Sequence, residues 1–183
     1  HILANNEAKH PWMDEGFTEY ITHLAEESVI GNASEFPHKS SYDRYYLLVN
    51  SGLEQPQTIH SDRYDFNFAY GATSYSKGSV FMAQLEYIIG KDNMAKTIKR
   101  YYDEFKFKHP TPNDFKRVAE KVSDIELEWY LNDWTRTTNT IDYGLDVSSL
   151  SDDRSISVKR KGRMPMPLEI VVSYDDGSSL LYY

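Results

Sequence analysis

Three side chains able to hold a cation or move a proton stand one helical turn apart: Glu15, Glu19 and His23. Residues four apart share a face of an α-helix. A helix here would therefore align two carboxylates and an imidazole, a donor set suited to a divalent metal. The same column also serves as a solvated acidic face that adds a little helix stability, and spacing alone favours that plainer use. Cysteine is absent, which removes disulfides, thiolate metal sites and Cys nucleophiles from consideration. The six histidines (1, 10, 23, 38, 60 and 109) include no pair four apart, and none is followed by Glu. The His-Glu-x-x-His arrangement of many zinc peptidases is thus not among these residues.

The residues around the column narrow its meaning. Trp12-Met13-Asp14-Glu15-Gly16-Phe17-Thr18-Glu19-Tyr20 resembles the third-ligand segment of the gluzincin zinc metallopeptidases of the aminopeptidase N type. In that family the Glu after Asn or Asp completes a zinc site begun by a His-Glu-x-x-His helix. The resemblance makes Glu15 a metal ligand. Two imidazoles and one carboxylate leave a fourth zinc position open for water. The family spacing puts its His pair before His1, so the resemblance implies that two ligands and the general-base Glu lie upstream. The first residues, His1-Ile2-Leu3-Ala4, carry neither an initiating Met nor a basic leader, which fits a chain that starts inside a longer one. Glu19 is a candidate to orient a ligating His through a hydrogen bond. Phe17, Tyr20 and Tyr70 are candidates to line a substrate groove.

A second match stands 60 residues beyond Glu15: Tyr75-Ser76-Lys77-Gly78 is similar to the family's Tyr-x-Lys-Gly segment. The resemblance implies a catalytic role for Tyr75, donating its hydroxyl to the oxyanion of a peptide carbonyl. A phenol suits this because it donates while staying neutral at pH 7. Among 15 tyrosines a single Tyr means little; the ordered pair of segments carries the weight.

These residues need a scaffold, and the composition allows one. The chain has 183 residues, 40% of them hydrophobic, enough for a core. Its net charge of −8 speaks against general nucleic-acid binding; the short run Lys159-Arg160-Lys161 reads as a solvated loop. No run of about 18 apolar residues is present to span a membrane. Helical spacing predicts helices over 12–30 (stripe Phe17, Tyr20, Ile21, Leu24), 39–51 (Tyr42, Tyr45, Tyr46, Val49), 73–89, 91–107 and 124–136. Another begins at Thr111-Pro112-Asn113-Asp114, with Thr111 as cap. Asp124 is expected to be the cap or a first-turn acid of the last one. A polar stretch over 52–70 shows no period, and such stretches are often functional or wrap a neighbour.

After Asn139 the period changes to two, and Asp175-Asp176-Gly177 marks a hairpin. The expected fold is mainly α: an irregular helical bundle over 1–138, corresponding to the helical half of a thermolysin-like catalytic domain. A short antiparallel β segment over 139–183 would open a β-sandwich domain. The expected activity is that of a fragment of a zinc-dependent aminopeptidase, inactive alone, which takes a peptide substrate and packs on the missing N-terminal half of the catalytic domain. The contrasting reading is a non-enzymatic helical interaction module, a degenerate relative of such peptidases. A self-contained di-metal site would need Glu-x-x-His motifs that the later helices lack.

Overall fold

The computed structural model describes residues 2–31, 36–146 and 156–183. It divides into two compact units, His1–Thr138 and Asn139–Tyr183. The chain is mainly α with a short antiparallel β segment, as its patterning predicts.

The first unit is built from α1 (Pro11–Ile30), α2 (Lys39–Ser51), the short α3 (Asn67–Gly71), α4 (Gly78–Ile89), α5 (Lys91–Phe105), α6 (Pro112–Ser123) and α7 (Glu128–Arg136). A π turn, Ala72–Lys77, joins α3 to α4 without a break in the helical path. The helix expected at 73–89 therefore starts six residues earlier, at Asn67, and carries a one-turn widening. A 3₁₀ turn, Ser61–Arg63, interrupts the aperiodic stretch before it.

The core is aromatic. Trp12 is fully buried and meets Phe81 edge-on with ring centroids 5.1 Å apart. Phe81 stacks on Tyr130, whose hydroxyl donates to the Phe81 carbonyl at 2.7 Å. Trp134 completes the group against Tyr130 and Tyr45. Rings of this kind bury large areas and favour edge-on or offset contacts.

Some faces differ from the sequence expectation. On α1 the buried line runs through Trp12, Met13, Gly16 and Tyr20, while Ile21 is 40% exposed. The reason is Gly16: a residue without a side chain marks the point of closest packing, so apolar periodicity misplaces the stripe. On α2 the buried residues are Ser41, Tyr45 and Leu48, and Tyr46 faces outward. Here a small polar residue sits at the tightest contact, where Ser41 donates to Glu19.

Helix punctuation is partly as read. Thr111 and Asp114 form a capping box at the start of α6, with the Thr111 N–H donating to Asp114 Oδ2 at 2.8 Å. Asp124 does not cap α7. It takes a left-handed conformation (φ 58°) and ends α6, its N–H donating to the Glu120 carbonyl. Asp is among the few residues that tolerate this region. The first-turn acid of α7 is Glu128.

The second unit holds two separate antiparallel pairs. β1 (Tyr143–Asp146) pairs with β2 (Ser157–Arg160), with Leu145 opposite Val158. β3 (Ile170–Ser173) pairs with β4 (Ser179–Tyr182) through the expected Asp175-Asp176-Gly177 turn, where Gly177 has φ 84°. β1 falls in the period-two pattern that begins after Asn139, with Ile141, Tyr143 and Leu145 alternating with Asp142, Gly144 and Asp146. Ahead of β3, Met166 donates its N–H to the Tyr143 hydroxyl at 2.9 Å.

Candidate active site

Glu15 and Tyr75 meet. The Glu15 carboxylate lies beside the Tyr75 phenol and is the first cause of a phenol pKa pushed up to about 12. Removal of the ring from water and the nearby charges of Glu15, Tyr70 and Asp14 add to the effect. Ionising the phenol would place a second negative charge beside a carboxylate, so the hydroxyl stays protonated through the neutral range and remains a donor.

The meeting is built by backbone, not by side chains. Gly16 follows Glu15 and Gly78 follows the π turn that carries Tyr75. A Cβ added at Gly16 would lie 2.5 Å from the Gly78 Cα and 3.0 Å from the Ser74 carbonyl oxygen. A Cβ added at Gly78 would lie 2.8 Å from the Gly16 Cα. The two helical paths thus touch main chain to main chain, a contact only glycine permits. Both flanking functional side chains emerge at this crossing.

The π turn presents Tyr75 and buries everything else. Ala72, Thr73, Ser74, Ser76 and Lys77 are buried, while Tyr75 is 38% exposed. Single π turns inside α-helices occur often at functional sites. Widening by one residue changes which side chains face the packed neighbour and which face solvent.

The other candidates are placed unequally. Tyr70 belongs to the surroundings of Tyr75 and packs edge-on against Tyr64. Glu19 turns to α2, accepting from the Ser41 hydroxyl at 2.5 Å. His23 faces His38, with Nδ1 atoms 3.1 Å apart. The column of Glu15, Glu19 and His23 is therefore divided among three different partners. Tyr20 is fully buried, stacked on His38, and gives its hydroxyl to Glu86, so it offers no surface to a groove. Phe17 packs among Trp12, Tyr101 and Phe115. It borders an apolar hollow of about 400 Å³ that also touches Ile2, Leu3 and Ile21.

Sequence reading passed over Lys77 and Glu54. Lys77 Nζ lies 2.8 Å from Glu54 Oε1, and both side chains are almost wholly buried. The available signal was a lysine inside a run of small residues, Ala72-Thr73-Ser74 and Ser76, which leaves no exposed face for it. Among the described residues no three His, Cys, Asp or Glu side chains cluster so as to hold a metal ion. Glu15 fits the part of one carboxylate ligand at an open surface, and not a whole site.

Titration checks the contact directly. The ultraviolet difference titration between wild type and Tyr75→Phe should show one phenol ionising at about 12. Glu15→Gln should bring it back toward the ordinary value of 10.0. The folded pKa exceeds the unfolded one, so the contact contributes stability that is fully present below pH 10.0 and is lost as pH rises through about 12. A Tyr75 titration unmoved by Glu15→Gln would show that the two groups do not interact.

Comparison with known proteins places this geometry in a family. The Peptidase family M1 domain matches residues 2–134. Leucine aminopeptidase 2 of Coccidioides immitis is 28% identical over 149 residues, covering 73% of this chain and 23% of that protein. Aminopeptidase B of Mus musculus is 31% identical over 141 residues, covering 66% and 22%. The chain thus spans about a fifth of the length of these relatives. Among solved structures, the M1 zinc metallopeptidase of Deinococcus radiodurans superposes with a TM-score of 0.58 at 17% identity, covering 73% of this chain and 29% of that one. A mutant of that protein bound to a Tyr-Ser-Ala substrate gives 0.56 at 17%, over 70% and 28%. By the match across most of its length, the chain belongs to peptidase family M1.

Proposed function

We propose that this chain supplies one metal-ligating carboxylate, Glu15, and one oxyanion donor, Tyr75, to the active site of a zinc aminopeptidase of which it forms part. The observation that carries this reading is the main-chain crossing of Gly16 and Gly78, which brings the segments bearing Glu15 and Tyr75 together. It joins two segments about 60 residues apart that separately match the family's ligand and tyrosine positions. The remaining ligands and the general base belong to a His-Glu-x-x-His helix outside these residues. The second unit, 139–183, opens the β-sandwich domain that follows the catalytic domain.

Bound zinc would supply a Lewis acid and an activated water. The residues present do the rest of what can be derived. Glu15 is held at the surface by a helix whose next residue is packed against main chain, so its carboxylate has a fixed origin. Tyr75 keeps a proton on its hydroxyl at neutral pH and can donate it to a peptide carbonyl oxygen as negative charge develops there. Substrates are peptides cleaved near their N-terminus. With one carboxylate the 183-residue chain by itself is inactive and binds zinc weakly.

Metal stoichiometry tests the assignment of Glu15. In the full-length protein, Glu15→Gln should lower zinc affinity by at least about 10–100-fold, the cost of weaker perturbations around metal ligands. Calorimetric titration of the 183-residue chain should show no tight stoichiometric binding. Full zinc retention by Glu15→Gln after dialysis against a chelator, or tight binding by the short chain, would overturn the reading.

A further inference from the structure

We propose that the buried Lys77–Glu54 ion pair is the device that holds Tyr75 in its working orientation, making both of them positioning residues; this rests on the reading of Tyr75 as the oxyanion donor. The pair is costly where it stands. Lys77 is 1% exposed, and loss of water is the first cause of a lowered pKa, opposed by the charge of Glu54. Its Nζ also lies over the Trp134 ring, 5.9 Å from the centroid. Apolar side chains of similar volume commonly serve stability as well as a buried ion pair does, so stability alone does not account for the pair. What a charged pair adds is a single permitted geometry.

That geometry matters at this position. The six residues Ala72–Lys77 form a π turn, a widened form that competes with the ordinary α-helix. Relaxing to an α path would shift the register by one residue, a rotation of about 100° around the helix. Tyr75 would leave Glu15. Lys77 is the last residue of the turn, and its ammonium is fixed to Glu54, which precedes the 3₁₀ turn. From the same segment, fully buried Gln57 reaches the Thr73 carbonyl through Nε2 at a long 3.5 Å. The segment 54–57 thus ties the turn at residue 73 and at residue 77, on either side of Tyr75. The aperiodic stretch acquires a purpose: it is the backing plate of the π turn.

The experiment uses the full-length zinc-loaded protein and compares Glu54→Gln, Lys77→Met, the double variant Glu54→Leu/Lys77→Met, Glu54→Asp and Tyr75→Phe. Each is measured for zinc content, thermal midpoint, kcat and KM. The two single neutralisations should lower both midpoint and kcat. The double variant removes both charges and should recover the midpoint, yet keep kcat on the order of tenfold to hundredfold low with KM near wild type. Glu54→Asp keeps both charges but shortens the reach, and should lower kcat with KM near wild type even if the double variant does not fold. Wild-type kcat in Glu54→Asp, or in a folded double variant, would reduce the pair to packing. Tyr75→Phe separates the two failures: wild-type turnover there overturns the reading of Tyr75, whereas a slow Tyr75→Phe beside fast pair variants overturns only the positioning role.

Discussion

Tyr75→Phe in the full-length protein should keep its zinc and its fold and lose about 10²–10³-fold in kcat, with KM little changed. The magnitude is that of removing one oxyanion donor from a preorganised site. Preorganisation is visible here. The hydroxyl is already held at the surface, next to the candidate metal ligand, by a turn whose other five residues are buried. Ring and backbone keep their place while the one O–H proton turns from Glu15 to a carbonyl presented there. Phenylalanine keeps the ring, the Tyr70 neighbourhood and the backbone. The only loss is one O–H donor, so an effect on kcat without an effect on zinc isolates that donor. Wild-type turnover from zinc-replete Tyr75→Phe would remove Tyr75 from the reaction.

The elements were largely legible because their ends carry strong local chemistry. Lys39–Ser51 and the capping box at Thr111 fall where the residues place them. Asp124 misled because aspartate suits a helix start and a left-handed helix end equally well; only the position of Leu127, which precedes α7, distinguishes them. The π turn was not legible. Its residues, Ala72-Thr73-Ser74-Tyr75-Ser76-Lys77, would serve an α-helix as well, and the widening is imposed by what packs around them. Burial on α1 was misread for a related reason: hydrophobic periodicity is blind to a glycine at the tightest contact. The candidate site shows the same division. Glu15 and Tyr75 stood out by type and setting, but Lys77 and Glu54 did not. A lysine is ordinarily exposed, and the partner that permits its burial lies in a segment with no period at all.

The second large effect falls on Gly16. Gly16→Ala should destabilise the fold by about 1–3 kcal/mol, the usual cost of forcing extra volume into a packed interior. Local preference points the other way: alanine inside a helix is favoured over glycine by roughly 0.8–1.0 kcal/mol. The tertiary contact decides the sign. The new methyl would stand 2.5 Å from the Gly78 Cα and 2.6 Å from the Gly78 carbonyl carbon. Carbon atoms attract at about 3.5–4.0 Å, so α1 and the π turn must separate by about 1 Å. Both obstructing atoms are main chain and cannot swing aside. Gly78 has φ −64° and ψ −42°, ordinary helical values, so the glycine is there for closeness and not for backbone freedom. The same separation parts Glu15 from Tyr75. Activity should therefore fall further than stability requires, by about 10²-fold for a displacement of this size. Adding Gly78→Ala should cost less than it does alone, because the first methyl has already opened the crossing. Denaturant midpoints of the two single variants and the double variant measure this coupling. Strict additivity, or an unchanged Gly16→Ala midpoint, would show that the crossing is looser than a main-chain contact.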